Sequence, residues 1–356
     1  MGRFLGCACI HSLFFNLMKF PALLVAVATL LLTNLPVRAD TVADFHKIID
    51  RPKVPLNVEV ENLPTADGIL KYHFTYSSQK GVRVPGLIYK KPGEGKRPVV
   101  IVAHGTEESK DMYVDFLTML ANRGFIAVAI DGRYFGERIT YGKTTFEYCD
   151  KIAAAYYRSG EHPLYYDTVW DDLRLLDYLE TRPDVDATRI GMTGVSKGGI
   201  ETYMTTAIDP RIKVAAPLIS IQGFKWELDN NLWMRRVNSF QKAFDKVVKQ
   251  EGITHPTSAF VAKFYDRVTP GIYGEFDAPA LIPLIAPRPL FMSNGGRDGL
   301  TPKPSVELCI AIAKEVYAKD HASDRFKYQF EDTDKHLVSP KTFKMVEDWF
   351  ARWLRP

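Results

Sequence analysis

The 356-residue chain, with 46% hydrophobic and 25% charged residues, has the make-up of a packed globular protein, long enough for one large domain or two smaller ones. Its 21 Phe, 17 Tyr and 5 Trp supply ample core area, which excludes intrinsic disorder, collagen-like repeats and a multi-span membrane protein. The net charge of +4 falls to +1 outside residues 1–39, where Arg3, Lys19 and Arg38 stand without any acid, so an electrostatic footprint for nucleic acid is lacking.

Taken in chain order, residues 20–37 come first, an uncharged apolar run preceded by Lys19. Val37-Arg38-Ala39 then ends on a small residue, the pattern of an exported chain cleaved near Asp40. Met18 reads as the natural start of such a signal. Residues 1–39 are therefore expected to be an N-terminal extension and signal peptide, placing the protein in the secreted or periplasmic space. A membrane anchor is the alternative, because about 20 apolar residues span a bilayer. Cys149 and Cys309 are then the cysteines left in the mature chain, with one disulfide between them an open question.

Residues 40–68 are expected to be irregular, broken by Pro52, Pro55 and Pro64. The β-rich runs 69–78 and 82–91, joined at Lys80-Gly81, predict an antiparallel hairpin. Residues 97–105 form a continuous β-branched run ending in glycine, as a buried parallel strand should. A helix over 113–122, a strand over 125–131, a helix over 166–179, a strand over 188–194, a helix over 198–207 and a strand over 212–219 follow. The rhythm stops at about 221–283, where an insertion rich in aromatic residues is expected to form a helical lid. It resumes with a strand at 289–295, a helix over 304–318, a strand over 326–330 and a closing helix over 342–354. Such alternation predicts an α/β fold with one mostly parallel, doubly wound sheet over 69–356.

Between the strand 188–194 and its following helix stands Gly194-Val195-Ser196-Lys197-Gly198, with Gly199 beyond. A serine on so tight a strand-to-helix turn needs small neighbours two positions away, and the turn aims the Lys197 amide at the reacting oxygen. A nucleophilic serine needs a base, and the base needs an orienting carboxylate. His336 is the histidine that falls between the last strand and the last helix. Asp298 lies just past the strand 289–295, at the carboxyl end where open α/β sheets place functional groups. Asp332 and Asp334 are closer to His336 in sequence but read as a solvated turn, and His321 reads as a surface residue.

The order Ser196, Asp298, His336 resembles the α/β-hydrolase superfamily, nearest to its dienelactone hydrolase, acetyl xylan esterase and prolyl-oligopeptidase catalytic-domain branch. The resemblance is carried by Ala103-His104-Gly105, Asp131-Gly132-Arg133-Tyr134-Phe135-Gly136, the Ser196 turn, Ile285-Ala286-Pro287-Arg288-Pro289-Leu290 and Gly296-Arg297-Asp298. It implies an oxyanion hole made by the backbone N–H groups of Thr106 and Lys197, and a loop-shaping role for His104. Arg133 and Glu137 either line the cleft or brace their loop. Trp226 and Trp233 are substrate-pocket candidates in the insertion. The expected activity is that of a serine hydrolase cleaving short-chain carboxylic esters, such as acetyl groups on carbohydrate, with a small-molecule or glycan partner. The triad and two amides suffice for double displacement, so no cofactor and no metal are implied. A peptidase is the runner-up, and a non-catalytic binding protein on the same fold is the reading from a different class. Only about 30 residues separate the signal from the first predicted strand, too few for the β-propeller that selects peptides in prolyl oligopeptidases.

Overall fold

The computed structural model describes residues 40–143 and 145–356; the expected signal peptide and the alternative anchor lie outside the described residues. Among the described residues no helix is long and apolar enough to cross a membrane.

Nine strands form one sheet: β1 (Glu59–Ala66), β2 (Ile69–Gln79), β3 (Val82–Lys90), β4 (Arg97–Ala103), β5 (Ile126–Ile130), β6 (Val185–Val195), β7 (Ile212–Leu218), β8 (Leu290–Gly295) and β9 (Phe326–Glu331). Their order is β1-β2-β3-β5-β4-β6-β7-β8-β9. The pairs from β1 to β5 are antiparallel, and those from β5 to β9 are parallel. The hairpin, the parallel run and the α/β fold class therefore stand as the sequence pattern predicts.

Helices cover both faces because the central strands are apolar on both. Along β4, Val99, Ile101 and Ala103 enter one core and Val100 and Val102 the other, the period-two alternation of a pleated strand. The second core is closed by α2 (Val114–Asn122) and, at the end of the chain, α12 (Pro340–Leu354), through Leu117, Leu120, Phe350 and Leu354. The first is closed by α1 (Thr41–Ile49), α4 (Tyr166–Thr181), α5 (Lys197–Ile208) and α11 (Lys303–Lys319), through Phe45, Trp170, Tyr203 and Ile310.

Residues 40–68 differ from the irregular segment that their prolines suggest. Phe45 and Ile49 lie one turn apart and are fully buried, so the stretch before Pro52 gains enough apolar contact to stay helical as α1. Pro64 sits in β1 because β1 is an edge strand, where a missing N–H costs no ladder bond on the open side. A further helix, α3 (Phe146–Ala155), which the sequence reading did not place, buries Tyr148, Cys149 and Ile152. Cys149 and Cys309 are both buried free thiols, not joined to each other.

Between β7 and β8 the chain forms α6 (Phe224–Asp229), α7 (Met234–Val237), α8 (Gln241–Gln250), α9 (Ser258–Val268) and α10 (Ala278–Ile285). Phe240, Phe244 and Phe264 are buried against one another there, with Phe240 and Phe264 stacked at 6.0 Å, and Phe224 is buried against Tyr265. Aromatic burial of that kind packs the segment into the first core, against its neighbouring helices.

Candidate active site

Ser196 occupies the one-residue turn between β6 and α5, with φ 53° and ψ −113°. A non-glycine residue held in that region costs of order 1–3 kcal/mol, which the surroundings must impose. They do so through glycine. A Cβ on Gly194 would collide with the backbone of Gly198, one on Gly198 with the carbonyl of Ala103, and one on Gly199 with the Ser220 side chain. The Ser196 amide donates to the Leu218 carbonyl at 2.9 Å, tying the turn to the end of β7.

His336 and Asp298 come to Ser196 from the carboxyl ends of β9 and β8. His336 Nε2 lies 2.7 Å from Ser196 Oγ, and Nδ1 lies 2.6 Å from Asp298 Oδ2. A carboxylate only accepts, so Nδ1 carries the proton and Nε2 is left to accept from the serine hydroxyl. Asp298 is buried and also accepts from the Leu300 amide at 2.8 Å and the Thr301 hydroxyl at 2.9 Å. Burial alone would push its carboxyl up, but the hydrogen bond and charge of His336, with the two loop donors, hold it below the usual carboxylate range. Asp332 is exposed and pairs with Arg297, and Asp334 is exposed as well.

The loop that carries Thr106, directly after β4, is clamped at three points. His104 Nδ1 donates to the Gly105 carbonyl at 2.7 Å, while its Nε2 accepts from the Gly132 amide at 2.8 Å. Both ring nitrogens are thus spent on backbone, as a loop-shaping histidine requires. Burial, then the neighbouring Lys197 ammonium, drives its pKa well below that of free imidazole, so the ring stays neutral. Glu108 accepts from the Gly105 amide at 2.7 Å and from the Tyr113 hydroxyl at 2.6 Å. Lys110 donates its amide to Asp131 Oδ1 and its ammonium to Oδ2, each at 2.9 Å, with Asp131 fully buried at the end of β5.

Lys197 begins α5, so its amide is one of the N–H groups left without an intrahelical acceptor. Its side chain turns away into the core and pairs with Glu201 at 2.7 Å. Arg133 does not pair with Glu137. The Arg133 guanidinium is buried against Asp171 at 3.0 Å, and Glu137 bonds Lys110 and His73. Both line a separate charged cavity of about 470 Å³, so bracing is the role this geometry supports.

Two cavities flank Ser196 and share Glu108, Val195 and His336. The smaller, about 250 Å³, contains Ser196 and Thr106 with Ile219, Asn238, Ser239 and Leu300. The larger, about 530 Å³, is walled by Met112, Phe116, Met119, Leu337 and Phe343. Neither Trp226 nor Trp233 is in the lining of either. Trp233 is buried against Phe244 with its indole N–H on Asn231 at 3.1 Å, and Trp226 is half-buried. Sequence reasoning thus missed the groove wall, and it missed Glu108, Lys110 and the role of Asp131 in holding Lys110, though Asp131 itself is among the residues that carry the resemblance. Asp131 had a signal, as a charged residue ending an apolar strand. Met112 and Phe343 lie some 230 positions apart and had none.

Comparison with known proteins agrees with the fold and adds a family. Residues 45–263 match the profile of the family described as acetyl xylan esterase (AXE1). The chain is 29% identical over 259 residues to YtaP of Bacillus subtilis (strain 168), a protein named provisionally as a hydrolase, spanning 69% of this chain and 75% of that one. It is also 29% identical over 178 residues to the 4-O-methyl-glucuronoyl methylesterase of Podospora anserina, covering 49% of this chain but only 35% of that protein. Among solved structures, the acetyl xylan esterase of Paenibacillus sp. R4 superposes with a TM-score of 0.61 at 21% identity, over 88% of this chain and 95% of the other. At that identity the likeness speaks for the fold alone.

Proposed function

The chain belongs to the acetyl xylan esterase family and is a carboxylic ester hydrolase, and on that premise we propose that it removes short acyl groups from carbohydrate through an acyl-enzyme on Ser196. The observation that carries the reading is the 2.7 Å approach of Ser196 Oγ to His336 Nε2, with Asp298 2.6 Å behind it.

In this reading His336 takes the hydroxyl proton as Oγ bonds to the ester carbon. The Thr106 and Lys197 amides receive the charge that develops on the carbonyl oxygen. The C–O bond to the alcohol breaks as His336 returns the proton to the alkoxide. Water then attacks the acyl-enzyme by the same route, with His336 as base. Asp298 holds the imidazole in the tautomer that both halves need. An ester suits the site better than an amide, because an alkoxide leaves without the carefully placed proton donation that an amine demands.

The glycan half of the reading draws on the names of the family and of the methylesterase relatives. The run 20–37 and the small residue Ala39 support export. Purified protein assayed on acetylated xylan, nitrophenyl acetate, a glucuronoyl methyl ester and proline-containing anilides tests the reading. Acetate release, abolished in Ser196→Ala, is expected. Anilide cleavage with inert esters would promote the peptidase instead. Inertness toward the whole panel would leave a binding protein.

A further inference from the structure

The cavity of about 470 Å³ between the β2–β3 hairpin, the loop after β5 and α3 contains none of the residues that line the two cavities at Ser196. Its wall is cationic. Arg133 and Arg138 are buried there, their side chains 8% and 9% exposed, and they share one carboxylate, Asp171, at 3.0 and 2.8 Å. Arg138 spends only Nη1, on Asp171 and the Asp131 carbonyl, so its Nε and Nη2 have no acceptor among the described residues. Arg133 Nη1 lies 3.7 Å from Asp167, beyond hydrogen-bond length. Lys151, on α3, has no carboxylate partner among the described residues, and its ammonium sits 5.5 Å from the centre of the Tyr134 ring.

The carboxylates in the same wall do not use up these donors. Glu137 is engaged by Lys110 at 2.5 Å and His73 at 3.0 Å, and Glu147 by the Thr140 amide at 2.6 Å and hydroxyl at 2.7 Å. Buried cations with donors to spare are costly unless an anion completes them. Tyr134 adds an independent feature. Its φ of 67° puts a bulky residue in the left-handed region, a strain found at ligand clamps, and it holds the ring in the wall beside the free cations.

We propose that this cavity is a binding site for a carboxylate borne on a six-membered ring, with the carboxylate on Arg138 and Lys151 and the ring against Tyr134. A guanidinium fork matches a planar carboxylate. A dianion such as phosphate fits less well, because Glu137 and Glu147 stand in the same wall. The volume falls in the range of small-molecule pockets, about 300–1,000 Å³, so a bare ion leaves most of it unfilled. Sugar acids and aryl acids share this chemistry. The site goes beyond the ester hydrolysis proposed above, and none of its residues enters a step of that reaction.

Isothermal titration calorimetry with glucuronate, benzoate, glucose and inorganic phosphate tests the assignment. Glucuronate or benzoate should bind with a Kd on the order of 1 mM, and the tighter of the two identifies the ring as sugar or aryl. Glucose and phosphate should bind at least about tenfold more weakly. Lys151→Gln should weaken the carboxylate by about tenfold, the loss of one charge-assisted contact, and leave nitrophenyl acetate hydrolysis unchanged. Tyr134→Gly, which takes the same φ without strain, should weaken it as well. Glucose or phosphate binding as tightly as the carboxylates, carboxylate binding untouched by Lys151→Gln, or no binding of either carboxylate would overturn the assignment. None of these outcomes bears on the esterase reading, because no probe in the titration is an ester.

Discussion

Gly132 donates its amide hydrogen to Nε2 of His104 at 2.8 Å, joining the loop after β5 to the loop after β4 that carries Thr106. The contact leaves no room on either side. A Cβ on Gly132 would lie 2.8 Å from Lys197 Nζ and 3.2 Å from His104 Nε2. The loop that carries Thr106 is therefore held to the loop after β5 by a neutral imidazole, alongside the Glu108 and Lys110 clamps.

His104→Ala should release that loop. It strands a buried N–H and a buried carbonyl, at about 1–3 kcal/mol each. Displacement of the Thr106 amide by even ~1 Å would cost up to about a hundredfold in kcat with little change in KM. Steady-state kinetics alongside thermal melting check both. A variant that melts earlier and keeps full kcat would show that the loop holds without the ring.

Asp298→Asn should lower kcat by up to about 10⁴-fold, because an amide can present its N–H to the imidazole and favour the wrong tautomer. Asp332→Asn should change nothing, since Asp332 is exposed and bonds Arg297 rather than His336. Comparing the two variants on one substrate decides between the carboxylates; equal losses would contradict the assignment.

Gly198→Ala should remove activity through backbone alone. The new methyl would press into the Ala103 carbonyl, which cannot move without breaking β4 out of register. Circular dichroism and a fluorophosphonate label should report a destabilised, unreactive protein. A variant with normal melting and normal labelling would mean the turn has slack.

Glu227 and Asp277 predict a loss of stability in alkali. Burial pushes the Glu227 carboxyl up to about 8, with Asp277 and Asp298 reinforcing it against Arg236 and Arg235. Burial likewise pushes Asp277 up to about 7, despite amide donors from Lys225, Phe224 and Ala278. Unfolded, both would titrate near about 4. The folded state therefore binds the proton more tightly, and the stability this contributes is complete below about pH 4 and lost as pH rises through about 7 to 8. Through these two groups the wild-type melting temperature should fall between about pH 5 and pH 8 and level off above, and Glu227→Gln should flatten that fall. Parallel curves for the two proteins would contradict it.

Strand β4 was legible as a β-branched run closed by glycine, its parallel neighbours as short apolar runs alternating with helical ones, and the Ser196 turn because few local geometries demand its glycines. Elements whose stability is tertiary were not. The helix α1 depends on Phe45 packing against Tyr166 and Phe276 at 4.8 and 4.7 Å, contacts more than a hundred positions away. Trp233 stood out by composition yet is spent on Phe244, while the groove wall pairs Phe116 with Phe343, neither of which carries a local signal. Burial of an aromatic says that it packs, not against what.

The central claim is that Ser196 is a nucleophile activated by His336, and intact-protein mass after exposure to a fluorophosphonate tests it most directly. The wild type should gain a single adduct, mapped by peptide sequencing to Ser196, with Ser196→Ala gaining none and His336→Ala gaining it far more slowly. An unmodified wild type, or an adduct on any other residue, would contradict the account.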